Sequence, residues 1–307
     1  MYYIRLLFAP NQTVAYIIAI IGGISNSFLN ASNFPTLMEI FPQSSSAAAL
    51  MSKFAINLGQ FFLPVAILLG GFVGVPFRVV FMSTGIVYLV LATLLAFLPY
   101  PKQVQKTANN EKNSNNSVQK SFSLGTICLV FMGFTTTAAF LLWINTYQEL
   151  AKSYGIAQPS TLQSVYAIGA SIAVLFNSFI LKKGIKELDI LIYYPLISAA
   201  SLLLAYAINA PWILYVTSLC VGFFAANGLY QLTSAVLGNL YPTMKATTQS
   251  WAGLFSAFAQ FGIISMAAWI TAIAGNAAPK YILLLNVANM VLSTALALLV
   301  KRDSKNH

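Results

Sequence analysis

The chain has 307 residues, of which 58% are hydrophobic and only 7% charged, and it carries a formal net charge of +10. An average soluble domain is about a quarter charged, so this composition cannot cover a water-facing surface and excludes an ordinary soluble protein. The basic excess flanks apolar runs, which is a topology signal, and no nucleic-acid partner is expected.

In chain order, the opening "MYYIRLLFAP" lacks the charged start, long apolar run and small-residue cleavage site of a secretory signal. Apolar runs of about 20 residues follow, long enough to cross ~30 Å of hydrocarbon. They are predicted at 13–39, 47–70, 77–99, 123–147, 161–181, 189–208, 212–238, 247–274 and 280–300. Only helices and closed barrels satisfy their backbone in lipid, so the expected fold is an all-α polytopic membrane protein of about nine transmembrane helices. Turn signals at Gly70–Pro76, Ile208–Trp212 and Ala274–Lys280 separate several of the runs.

Pro101–Ser121 differs from every other connection. It is rich in Asn, Lys, Gln and Ser and has almost no apolar content to bury, so a polar linker is expected over 101–122. It divides the chain into a helical part at 1–100 and another at 123–307. With this linker in the cytoplasm, alternation puts twelve basic residues, from Lys53 to Lys305, inside and leaves Arg5, Arg78, Lys152 and Lys280 outside. That bias predicts a multi-pass protein of the plasma (cytoplasmic) membrane with a cytoplasmic C-terminus.

Two stretches 200 residues apart repeat each other. "EIFPQSSSAAALMSKFAINLGQF" (Glu39–Phe61) aligns without gaps on "NLYPTMKATTQSWAGLFSAFAQF" (Asn239–Phe261), matching Pro42 to Pro242, Gln60 to Gln260 and Phe61 to Phe261. Upstream, with a one-residue slip, Asn26, Asn30 and Asn33 face Asn227, Gln231 and Ser234. Each triad has i, i+4, i+7 spacing, one face of a helix. Parallel repeats of this kind belong to transporters built from two six-helix halves. If the first run corresponds to the seventh, the expected organisation is three helices of a six-helix bundle in the first half and a complete bundle of six in the second.

The amides set the functional question. A carboxamide facing lipid has no partner, whereas one lining a wet passage keeps its hydrogen bonds and can hold a polar solute. The alternative is hydrogen bonding between packed helices, about 0.6–2 kcal/mol each, and both readings stand for Asn26, Asn30, Asn33, Asn57, Gln60, Asn227, Gln231 and Gln260. In "LLWINTYQE", Trp143, Asn145 and Tyr147 add aromatic and amide groups suited to a sugar-like solute, or else form an interfacial aromatic belt. Gly22, Gly23 and Gly222 are read as packing positions, and Pro35, Pro64 and Pro195 as helix kinks.

Catalytic or metal chemistry finds little support. The only histidine is His307, Cys128 and Cys220 fall in apolar runs, and no acid lies mid-span, with Glu39, Glu149, Glu187 and Asp189 near run ends. No enzyme activity, cofactor or metal is expected.

Taken together, the two halves, the central linker and the repeated corner resemble the major facilitator superfamily over essentially the whole chain, entering at the family's fourth helix. "GGISNSFLNASNFPTLMEIFPQSSSAAALMSKFAINLGQFFLP" is similar to the fourth and fifth helices of the fucose-permease-like branch. The resemblance implies a twelve-helix parent whose first three helices are absent here, with the fourth, seventh and tenth lining a central cavity. It implies secondary transport of a small polar organic solute by alternating access through the lipid bilayer, with a coupling proton or cation left open. The other reading it leaves is a truncated, transport-inactive remnant. "NSFILKKGIK" (Asn177–Lys186) resembles the family's GxxxDRxGRR loop at Lys182, Gly184 and Lys186, but Asn177 replaces the first glycine and Leu181 the acid.

Overall fold

The computed structural model describes residues 11–41, 44–97, 123–226, 228–241 and 244–306. Pro42, Pro242, Asn227 and the linker 101–122 lie outside them. All regular structure among the described residues is helical. The helices are α1 (Gln12–Ile40), α2 (Ser45–Phe72), α3 (Phe77–Phe97), α4 (Leu124–Ser153), α5 (Ser160–Lys182), α6 (Glu187–Ala207), α7 (Pro211–Cys220), α8 (Leu229–Leu240), α9 (Lys245–Ala274) and α10 (Ala278–Asn306). Six stretches among the described residues are long and apolar enough to cross a membrane.

The run at 212–238 falls within one apolar stretch, Pro211–Leu240, whose helix is interrupted. After α7 the chain makes a π-helical turn, Val221–Ala225, and α8 starts only after Gly228, whose φ of +98 is left-handed. An L side chain is disfavoured there, so glycine permits the break. Elsewhere helices end as the sequence suggests. At the close of α5, Ile185 N–H bonds Ile180 O and Gly184 N–H bonds Leu181 O around Gly184 at φ +89. This satisfies carbonyls left open by the last turn.

The described residues form two compact units. The first takes the described parts of Met1–Asn30 and Phe61–Ser121. Its helices show their apolar side chains outward, with Phe28 74% and Phe97 83% exposed. Such a surface suits lipid tails and would be untenable in water.

The second unit takes Ala31–Gln60 and the described part of Phe122–His307. One core cluster gathers Trp143, Tyr166, Leu214 and Met290, a second Leu50, Leu129, Leu191 and Leu232, and a third Leu142, Ala259 and Ile282. Helices α5 and α7 approach to backbone contact. A Cβ on Gly169 would lie 2.6 Å from Leu219 O, and one on Gly222 would lie 2.2 Å from Tyr166 O. Small residues allow this closeness, on which helix association in lipid depends.

Polar ties cross between helices. Asn286 and Asn289 of α10 donate to Ala139 O (3.1 Å) and Thr135 O (2.9 Å) of α4. Ser218 donates to Leu162 O at 2.5 Å, and Tyr154 to Ala205 O at 2.5 Å, with burial raising the Tyr154 pKa so that its phenol remains a donor. At the Leu124 end, Asp303 Oδ2 accepts Gly125 N–H at 3.1 Å, a carboxylate at a helix N-terminus. Lys301 pairs with Asp189 at 2.6 Å, and Ser46 donates to Glu187 Oε1 at 2.6 Å.

The repeated corner has a shared geometry. Helix α1 ends at Ile40 and α8 at Leu240, while α2 begins at Ser45 and α9 at Lys245. Phe41 N–H bonds Leu37 O as Tyr241 N–H bonds Leu237 O, and Ser44 N–H bonds Phe41 O as Met244 N–H bonds Tyr241 O.

Candidate functional site

The amide positions singled out from the sequence have different surroundings. Asn26 is exposed and Asn33 half-buried, while the side chains of Asn30 and Gln60 lie outside the described residues. Asn57 is 1% exposed, and its Nδ2 has no hydrogen-bond partner. Gln231 is buried and Gln260 exposed. Helix α8 begins at Leu229, after the left-handed Gly228, and carries Gln231 and Ser234, while Asn227 lies outside the described residues. Gln231 and Ser234 share a face of that helix.

On α4, Trp143 is 2% exposed inside the first core cluster, and its indole Nε1 has no partner. Tyr147 belongs to the same cluster, and its hydroxyl accepts from Gln148 Nε2 at 3.2 Å. Asn145 is exposed, donates back to Leu141 O at 2.8 Å, and borders a cleft of about 570 Å³ together with Glu149, Lys152, Thr271 and Asn276. Of the residues proposed from sequence whose side chains are described, only Asn145 touches this cleft. Glu149 and Lys152 pair at 3.0 Å on an exposed turn, worth little in such a setting.

The loop residues Lys182, Gly184 and Lys186 are all exposed between α5 and α6. Asn177, where the loop pattern has glycine, is buried and accepts from Tyr194 Oη at 2.6 Å, so it ties α5 to α6.

The buried amides differ in how far their hydrogen bonds are satisfied. Asn177, Asn286, Asn289 and Gln249 each hold a bond to a neighbouring helix, which is the work of helix packing. Asn57 Nδ2 and Trp143 Nε1, and likewise Nδ2 of Asn177, are buried donors with no partner among the described residues. A buried donor left without an acceptor is costly and calls for an explanation.

One residue was misplaced by the sequence reading. Lys53 counts there among loop bases that set topology, yet it sits inside α2 and is 6% exposed, with its Nζ 4.9 Å from the centre of the Phe140 ring. The available signal was its spacing, since Lys53, Asn57 and Gln60 repeat the i, i+4, i+7 pattern of the amide triads.

Comparison with known proteins follows the same lines. The sequence profile of the Major Facilitator Superfamily matches residues 2–261. The MFS-type transporter YfkL of Bacillus subtilis (strain 168) is 27% identical over 296 residues, which are 94% of this chain and 73% of that protein. The inner membrane transport protein YdiN of Escherichia coli (strain K12) is 25% identical over 294 residues, 95% of this chain and 69% of that protein. The crystal structure of the MFS transporter FucP in the outward conformation superposes with a TM-score of 0.67 at 12% identity, covering 97% of this chain and 79% of that one. At that identity the likeness concerns the fold alone.

Proposed function

The chain belongs to the Major Facilitator Superfamily and is a multi-pass membrane transporter, and on that footing we propose that it is a secondary carrier moving a small polar organic solute by alternating access. Nine helical crossings, a cytoplasmic linker at 101–122 and a cytoplasmic C-terminus complete the proposal. They are supported by the apolar runs and by the inward bias of the basic residues.

The observation that carries the solute reading is the division among buried polar groups. Asn177, Asn286, Asn289 and Gln249 each keep one bond to a neighbouring helix, although three of them leave a second atom unpartnered. By contrast Asn57 Nδ2 and Trp143 Nε1, like Tyr166 Oη and several serine hydroxyls, have no partner among the described residues. Groups of this kind suit a passage that is wet or loaded in the working protein. The repeated corner at Phe41–Ser44 and Tyr241–Met244 supports two related halves, the architecture that lets such a passage open to either side.

The test is reconstitution of the chain in liposomes, with uptake of labelled sugars, sugar acids and amino acids under an imposed proton or sodium gradient. Accumulation above protein-free vesicles is expected for at least one solute, and the gradient that drives it identifies the coupling ion. No accumulation of any solute under either gradient overturns the proposal.

A further inference from the structure

We infer that the solute is an organic anion whose carboxylate or phosphate oxygens are received by Lys53 together with Asn57. The part of this that concerns transport rests on the carrier reading above; the binding site stands on its own observations.

Lys53 lies two turns inside α2, 6% exposed, against Phe140 near the middle of α4. An ammonium at such a place is costly unless an opposite charge or several acceptors face it. Phe140 presents only the face of a ring, which attracts the cation but accepts none of its three N–H bonds in the ordinary sense. The chain has six acidic residues. Every one whose side chain is described is engaged elsewhere: Glu149 with Lys152, Asp189 with Lys301, Glu187 with Ser46, and Asp303 with Gly125 N–H. Among the described residues, Lys53 therefore has neither a counter-charge nor a hydrogen-bond acceptor.

Its neighbours along the helices are of the same kind. Asn57, one turn on and on the same face of α2, is 1% exposed with Nδ2 unpartnered. Trp143, one turn from Phe140 on α4, is 2% exposed with Nε1 unpartnered. A site for a neutral polyol would mix donors with acceptors, because each hydroxyl both gives and takes a hydrogen bond. Asn57 can also accept through its Oδ1, but Lys53 and the Trp143 indole can only donate and Lys53 carries a charge, which makes the set complementary to anionic oxygens. An ionisable residue held inside a membrane bundle is by default a functional one.

The experiment uses the purified full chain in detergent and matched pairs of solutes: gluconate against glucose, succinate against succinamide, and glycerol 3-phosphate against glycerol. Binding is read by isotherm and by shift of the thermal midpoint. At least one anion is expected to bind where its neutral twin does not, and the responding pair distinguishes carboxylate from phosphate. Lys53→Met should weaken that binding about 30-fold or more, while Lys53→Arg retains most of it. Without solute, Lys53→Met should unfold at the same temperature or higher, because it removes an unpaired charge.

The proposal is overturned if no anion in the panel binds, if neutral twins bind equally well, or if Lys53→Met leaves anion binding unchanged. Should that variant not fold, the matched pairs on the unaltered chain decide alone. Uptake of neutral solutes without anion binding would leave the carrier standing and remove the anion. Binding of an anion without uptake in liposomes would do the reverse.

Discussion

A Cβ on Gly228 would lie 2.6 Å from Cδ2 of Leu50, so a leucine of α2 occupies the space left by a glycine at the start of α8. The glycine also holds φ at +98, which costs an alanine about 1–2 kcal/mol. Gly228→Ala is therefore expected to destabilise by about 1–3 kcal/mol once the displaced leucine rotamer is included. Leu50→Ala opens a cavity of its own at a fully buried leucine, costing about 2–5 kcal/mol, so the steric share is the amount by which Gly228→Ala costs less in the Leu50→Ala background than in the parent. Denaturant unfolding of the single and double variants measures the two parts.

Gly222 sits against backbone rather than a movable side chain, since its added Cβ would fall 2.2 Å from Tyr166 O. Relief requires the π-helical turn Val221–Ala225 to move away from α5, an overpacking cost of typically 1–3 kcal/mol. Gly222→Ala should reduce folded yield and thermal midpoint more than Gly23→Ala, which meets nothing within 4 Å. Equal effects would mean that the close crossing does not hold the unit together.

Asn289 and Gln231 should fail in different ways. Asn289 donates to Thr135 O at 2.9 Å, and Asn289→Leu should cost about 0.6–2 kcal/mol of stability while uptake per folded molecule is kept. Gln231→Leu and Asn30→Leu should lower uptake more than they lower folded yield. Parallel loss of uptake and yield in the latter two would reassign them to helix packing. Fluorescence size-exclusion profiles, taken beside the uptake assay, separate the outcomes.

Trp143→Phe keeps a ring in the core and deletes the unpartnered indole N–H. If that N–H meets the solute, binding should weaken by about tenfold, the worth of one hydrogen bond near 1.4 kcal/mol, and the unfolding midpoint of the empty protein should stay close to that of the parent. A falling midpoint with unaltered binding would make Trp143 a core residue only.

Much of the architecture could be read from the sequence because lipid imposes length and apolarity on every crossing, and turn residues mark the ends. The expected run at 161–181 is the helix Ser160–Lys182, and that at 189–208 is Glu187–Ala207. The corner repeat was legible because Pro42, Gln60 and Phe61 recur at fixed spacing. Gly228 was not, since a lone glycine in an apolar run looks the same whether it packs or turns, and only φ tells them apart. The amides were visible but their partners were not: the carbonyl of Ala139 to which Asn286 donates is 147 residues away in the chain. Lys53 was misread for a related reason. A count of charges assigns a lysine near the end of a run to the adjoining loop, whereas its side chain runs into the bundle and stops on Phe140.

The bond from Gly125 to Asp303 brings together two points 178 residues apart. The stretch between them thus begins and finishes at one place, so a few linking residues would join its ends and the polypeptide could be opened instead at the exposed turn around Gly184. A circular permutant of this stretch would keep the neighbours among α4 to α10 while changing which of those helices leaves the ribosome first, making their order of membrane insertion separable from the finished packing.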